Sequence, residues 1–454
     1  MQKVNSQSIS EFIAETEPYI QKLDSLPLGT AAELYDMLEA AAFTATLHIN
    51  EIDPELRVDI CDKQDRVLER IIDELPPFQH SGERMKIFSP AIQGYRRWDN
   101  VELLKDCGLA GYMLANEIRA DPVMFFGTKP SDYPYLSVLP GMEMLYSEVS
   151  PGEQGVYYDH LENSFPEMDI LILHGMYNQS TEYLKEYRML RPDGKVYCSL
   201  DMNDYWMNNT PWDSPNAIVF SQQCDIVATT CRQMRDSVNR NPKVHFSCRW
   251  LTNGFYNPTG IPVTADAEIK ENVILSVGRI GTKQKNNEEL MTAFAGVSEA
   301  LSGWSLRFIG PVLPDFQSYI DNYFTENPHL KDRVFFTGPI SKKTDLYSEY
   351  SRAKILAFSS RQEGFPNVYA EALFHGCMFV TSDIDSADDM TNYGELGAKY
   401  TLGDIDALQR ALVETCARAD KQGMQAHIPK ALAYATKYYD WNRIAKKLSY
   451  MLFK

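Results

Sequence analysis

The stretch SSRQEGFPNVYAEALFHG (359–376) decides the reading of this chain. KILAFSS (354–360) has the short apolar run of a buried strand, and it ends at Ser359–Ser360. A loop follows, Glu363-Gly364-Phe365-Pro366, and a helix pattern begins at Asn367. Gly364 permits close backbone approach, and Pro366 suits a helix start, where a missing N–H costs little. The first N–H groups of that helix and its positive dipole end favour a phosphate or another anionic oxygen. Glu363 sits in the loop and Glu371 one turn into the helix, so two carboxylates can approach one ligand from different elements. A carboxylate that accepts two hydroxyl hydrogen bonds suits a diol.

Either glutamate alone reads as a solvated acid. A second segment changes that reading. In SVGRI (276–280) a strand ends at Gly278 and presents Arg279, and KQKNNEEL (283–290) brings Lys283 and Lys285 soon after. A guanidinium with a mobile ammonium can hold a diphosphate and stabilise its charge as it leaves. Lys283 is the weaker candidate of the two lysines.

Working outward, the pattern of short apolar strands and intervening helices extends over most of the chain. MKIFSPAIQG (85–94), PVMFFG (122–127), DILILHG (169–175), GKVYCSLD (194–201), DIVATT (225–230) and HFSCRWLTNG (245–254) form one series. NVILSVGRI (272–280), WSLRFIGP (304–311), RVFFTGPI (333–340), KILAFSS and MFVTSD (378–383) form a second. This predicts an α/β fold of two Rossmann-like, doubly wound domains facing a ligand cleft. Residues 1–84 carry only helical periodicity and are expected as an N-terminal helical extension, open to a homo-oligomer or protein partner. Residues 85–258 are expected as the first domain and 259–437 as the second, with a terminal helix at 438–454 rejoining the first.

The 454 residues carry 44 Lys+Arg against 62 Asp+Glu, a formal charge of −18, which argues against nucleic-acid phosphates as the main partner. No apolar run is long enough for a transmembrane segment, and acids interrupt the first residues where a signal peptide would be apolar, so a cytoplasmic protein is expected. The eight cysteines are scattered without C-x-x-C pairs, which predicts reduced thiols and no metal site.

SVGRI with Lys285-Asn286, then VFFTG (334–338), then EGFPNVYAEAL (363–373) resemble the retaining, nucleotide-sugar-dependent glycosyltransferases of the GT-B fold, family four. The likeness spans roughly residues 85–454 and is strongest in the second half. It implies transfer of a sugar from a nucleotide-diphosphate sugar, UDP- or GDP-linked, to a glycan, lipid-linked or protein acceptor, with no cofactor and no metal. It implies that Arg279 and Lys285 grip the donor diphosphate, that Glu363 contacts the transferred sugar, and that Glu371 binds the ribose hydroxyls. Gly278 and the backbone of Gly364, Phe365, Asn367 and Val368 complete the donor site.

The first half departs from the family pattern. Many relatives have a Gly-Gly turn after the first strand; here Trp98-Asp99-Asn100 stands near that position, with Gly94 before it. His174 and Asp201, both at strand ends, are the acceptor-side candidates. Asp383-Ile384-Asp385 imitates a metal-binding motif of a different glycosyltransferase fold and is expected to cap the next helix instead. DYWMNNTPWD (204–213) reads as a packed loop or an acceptor-stacking surface, and the N-terminal acids as a solvated face. The alternative to an enzyme is a non-catalytic GT-B subunit that partners another glycosyltransferase.

Overall fold

A computed structural model describes residues 6–78, 82–90, 103–126, 133–146, 164–200 and 202–454. Asp201, Gly94 and Trp98-Asp99-Asn100 lie outside the described residues. The chain divides into two units, Met1–Asn253 with Trp441–Lys454, and Gly254–Asp440.

In the first unit the described strands are β1 (Lys86–Pro90), β2 (Asp121–Phe126), β3 (Glu143–Tyr146), β4 (Ile170–His174), β5 (Lys195–Leu200), β6 (Ile226–Thr229) and β7 (Cys248–Trp250). They form one parallel sheet in the order β3-β2-β1-β4-β5-β6-β7. The helices are α1 (Ser6–Gln21), α2 (Leu28–Leu47), α3 (Pro54–Glu74), α4 (Asp106–Ile118), α5 (Asn178–Leu190), α6 (Asp204–Asn209), α7 (Pro215–Gln223) and α8 (Arg232–Arg240). In β4 every residue is buried, so the strand is apolar without alternation, as parallel strands covered on both faces are.

The second unit repeats the plan. Its strands are β8 (Glu271–Val277), β9 (Ser305–Ile309), β10 (Val334–Phe336), β11 (Ala353–Phe358), β12 (Met378–Ser382) and β13 (Gly397–Tyr400). They pair in parallel in the order β10-β9-β8-β11-β12-β13. The helices are α9 (Asn287–Gly296), α10 (Gln317–Glu326), α11 (Lys343–Arg352), α12 (Asn367–Phe374), α13 (Ala387–Thr391), α14 (Ile405–Arg418) and α15 (Lys421–Tyr438). Val273 and Leu275 of β8 face one core with Phe358 and Phe379, whereas Ile274 faces the opposite core with Phe308 and Val380. The period of two in strand side chains thus splits one apolar run between two buried layers. The order reverses between β8 and β11, so the crevice beyond their carboxyl ends is the switch point where open α/β sheets bind ligands.

Two parallel α/β sheets with helices are the fold class expected from sequence. Strands β3 and β13 were not anticipated. The terminal helix α16 (Trp441–Phe453) belongs to the first unit. Among the described residues no helix is long and apolar enough to cross a membrane, and all eight cysteines are free.

The N-terminal helices correct one expectation. Asp65 and Glu69 on α3 are buried members of an ion network and not part of a solvated face. Asp65 accepts from Arg235 Nη1 of α8 at 2.6 Å and from Arg249 Nη2 of β7 at 2.9 Å. Arg249 also donates to Tyr35 Oη of α2 at 2.7 Å. Glu69 pairs with Lys447, and with Arg443 at 3.1 Å, both on α16. Arg57 donates to the carbonyls of Val244 and Phe246, each at 3.0 Å. Segment 1–84 is therefore joined to the sheet by buried charge pairs, whose loss on one side leaves an uncompensated ion.

Candidate functional site

The site is assembled in the second unit, beyond the carboxyl ends of β8 and β11. The turn after β8 is possible because two glycines meet there. Gly278 has φ +148° and Gly310, after β9, has φ +145°; a Cβ on Gly310 would lie 1.8 Å from Gly278 O. Gly278 N donates to Ile309 O at 2.9 Å, which ties the end of β8 to β9. The chain then presents Arg279, exposed, and turns back through Thr282, whose carbonyl accepts from Lys285 N at 3.0 Å. Asn287 Oδ1 accepts from Gly281 N at 2.8 Å and closes the turn onto α9.

This turn and the loop after β11 hold each other. Lys285 Nζ lies 2.5 Å from Glu363 Oε1, with side-chain exposures of 17% and 11%. Ser359 Oγ donates to Lys285 O at 3.1 Å, and Arg361 N donates to Gln284 O at 2.8 Å. Gln284 is the bridge that sequence reasoning missed. Its Oε1 accepts from Arg279 Nη2 at 3.0 Å, while its Nε2 donates to Gln362 O at 3.1 Å and reaches Glu363 Oε2 at 3.4 Å. Arg279 and Glu363 are thereby linked through one amide, and Lys285 joins them through Glu363. Lys283 is exposed on the outside of the turn.

Helix α12 begins after Pro366 with no side-chain cap, so the first N–H groups, including those of Asn367 and Val368, are left to other partners. Phe365 is buried, stacked on Tyr439 at 5.3 Å and edge-on to Tyr369, which leaves its backbone as the part that can serve a ligand. Glu371 points to α11. Its Oε1 accepts from Lys343 Nζ at 2.5 Å and its Oε2 from Tyr350 Oη at 3.0 Å. Neither partner was legible, because each lies more than twenty residues from Glu371 and on another helix. His375 closes α12 through Nδ1 and Glu371 O at 2.6 Å, and burial pushes its imidazole down to about 4.

The acceptor-side candidates differ from one another. His174 is 8% exposed, its Nδ1 3.9 Å from Asp106 Oδ2, in a small space also lined by Tyr197, Asn253 and Trp441. Asp201 lies outside the described residues. Asp383 Oδ1 accepts from Leu402 N at 3.0 Å, and Asp385 is buried. Among the described residues no group of three or more His, Cys, Asp or Glu side chains is arranged to hold a metal ion.

Two parallel doubly wound sheets, with cations and carboxylates at the switch point of the second, define the GT-B class of fold. Residues 271–418, which lie within the second unit, match the model of the family described as glycosyl transferases group 1. Solved structures share the fold at low identity. One is HepE (Alr3699) of Anabaena in complex with UDP and glucose, 16% identical, TM-score 0.58, aligned over 81% of this chain and 99% of that one. Another is WaaB, a lipopolysaccharide outer core galactosyltransferase in its apo form, 17% identical, TM-score 0.57, over 82% and 99%. A third is the sucrose-phosphate synthase of Thermosynechococcus elongatus, 17% identical, TM-score 0.61, over 81% and 98%. No curated protein matches the sequence at a significant level.

Proposed function

We propose that this protein is a glycosyltransferase that moves a sugar from a nucleotide-diphosphate sugar to a glycan, lipid-linked or protein acceptor, with retention at the anomeric carbon. The observation that carries the reading is the linked set Arg279–Gln284–Glu363–Lys285 at the carboxyl ends of β8 and β11. Two cations there suit a diphosphate, and preorganised charge aimed at a leaving phosphate lowers the barrier to its departure. Glu371, already oriented by Tyr350 and Lys343, suits the two ribose hydroxyls. Glu363 is suited to a hydroxyl of the transferred sugar, and the uncapped start of α12 to sugar or phosphate oxygens.

In this reading the C–O bond between the anomeric carbon and the β-phosphate breaks, and its electron pair goes to the phosphate oxygen. Arg279 and Lys285 stabilise that charge. The acceptor oxygen forms its bond to the anomeric carbon from the same face, and its proton passes to the departing phosphate. The positive charge that such departure requires is supplied by side chains of the chain itself, so the reaction is proposed to need no metal. UDP-sugars are the first donors to test, since one structural neighbour was solved with UDP and glucose.

The test is a thermal-shift panel of UDP, GDP, ADP and CMP with their common sugar conjugates, on wild type and Lys285→Ala. A ligand at a hundred times its Kd stabilises the fold by about 2.7 kcal/mol. One nucleotide should raise the melting temperature in wild type and not in the variant. No shift with any nucleotide would refute the donor site. Transfer that stops in EDTA and returns with a divalent ion would refute the metal-free step.

A further inference from the structure

The first unit holds a second pocket, at the carboxyl ends of β4 and β5. Its volume is about 170 Å³. Leu200, Met202 and Ala217 supply its apolar part, each buried. Thr181, Asn209 and Asn216 bring hydroxyl and amide groups to it, and Trp206 forms one wall. Among the described residues that line it there is no lysine, arginine, aspartate or glutamate.

Trp206 is the unusual member. It is 47% exposed, whereas Trp212, Trp250, Trp304 and Trp441 are each 8% exposed or less. Its neighbour Tyr205 is 57% exposed and packs edge-on against it at 5.3 Å. This is not the exposure of a loose loop. Asn203 Oδ1 accepts from Trp206 N at 3.2 Å, and Trp206 O accepts from Thr210 Oγ1 at 2.7 Å. Asn209 Nδ2 donates to Tyr205 O at 2.6 Å, and Trp212 Nε1 donates to Met207 O at 2.9 Å, which fastens α6 to the buried Trp212. A large indole is thus held outward by a pinned helix, beside a hollow of neutral hydrogen-bonding groups. An exposed aromatic pair continuous with an apolar hollow is the kind of patch that recognition surfaces present.

We propose that this pocket is the acceptor subsite, and that it takes a neutral sugar ring stacked on Trp206. A pyranose has an apolar C–H face and a rim of hydroxyls that both donate and accept, which matches an aromatic wall with Thr and Asn around it. With no lysine or arginine among the described lining residues, a neutral ring is the ligand these groups fit. Its volume is below the range of pockets for drug-sized ligands, which fits a single ring. This choice of a saccharide acceptor rests on the glycosyltransferase reading above.

The experiment uses full-length protein labelled with 5-fluorotryptophan, with the Trp206 signal assigned by its loss in Trp206→Phe. The probes are the α- and β-methyl glycosides of glucose, galactose, mannose and N-acetylglucosamine. At least one should move the Trp206 signal. By saturation-transfer NMR its Kd should rise about tenfold or more in Trp206→Ala, and stay within about threefold in Trp206→Phe, since the stacking face is kept. In transfer assays the same glycoside should act as acceptor, with Trp206→Ala raising its KM and changing kcat little. No response at Trp206, or equal binding by Trp206→Ala, overturns the subsite even when a nucleotide shifts the melting temperature. Sugar binding at Trp206 without any nucleotide shift overturns the transferase reading, and with it the acceptor role.

Discussion

Glu363→Gln separates the two tasks assigned to the loop after β11. Glu363 pairs with Lys285 at 2.5 Å, with both side chains largely buried. A nucleoside diphosphate must therefore compete with Glu363 for the ammonium. Lys285 stays charged in Glu363→Gln, so its bond to the amide oxygen remains charge-assisted; what is lost is the carboxylate's charge, worth about 1 kcal/mol. One factor of ten corresponds to 1.4 kcal/mol, so the free nucleoside diphosphate should bind Glu363→Gln about fivefold more tightly than wild type. Sugar transfer should move the other way. The amide reorients Gln284 and the sugar hydroxyl contact, and misplacement on that scale costs about a hundredfold in rate. Isothermal titration with the nucleotide selected by the shift panel, beside initial rates with its sugar conjugate, reads both effects. Weaker nucleotide binding in Glu363→Gln would refute the competition argument, and unchanged transfer would remove Glu363 from the sugar.

Other substitutions test other parts of the molecule. Glu371→Ala should weaken nucleotide binding about ten- to a hundredfold, the scale of charge-assisted bonds, and Glu371→Gln should fall between it and wild type; equal titration curves for all three would contradict the ribose assignment. Asp65→Ala leaves Arg235 and Arg249 buried without their shared carboxylate, and should destabilise the protein by about 3–5 kcal/mol in urea unfolding; a loss under about 1 kcal/mol would show that the α3 network is not integral to the first unit. Burial lowers His375 and His427 to about 4. Unfolded, each titrates near 6.5, so stability is full above that pH and falls by about 1.4 kcal/mol per pH unit per histidine between 6.5 and 4. Urea midpoints that stay flat across that window would refute the buried-neutral assignment.

What the sequence discloses and what it conceals divide along contact distance. Glu363, Gly364, Asn367 and Glu371 follow one another through a strand end, a loop and a helix start, so their neighbourhood is set by local geometry. Gly278 and Arg279 carry the same strand-end signal. Gln284 was passed over because a glutamine between two lysines has no pattern of its own; its meaning comes from Gln362 and Glu363, nearly eighty residues on. Gly310 likewise reads as an ordinary turn until β9 lies against β8 and its missing Cβ makes room for Gly278 O. Asp65 shows the opposite error. Helical periodicity put it with charged neighbours on an outer face, but a charge face is solvated only when nothing covers it, and Arg235 and Arg249 arrive from 170 and 184 residues away. His174 is the ambiguous case, since a strand-end histidine has one sequence signature for two fates; here it lies buried beside Asp106. Trp206 completes the argument. A tryptophan in a polar run is equally a core residue or a platform, and Trp212, six positions on, is buried while Trp206 is exposed. Their burial and the bonds that pin α6 tell them apart, and the proposed stacking wall rests on that difference.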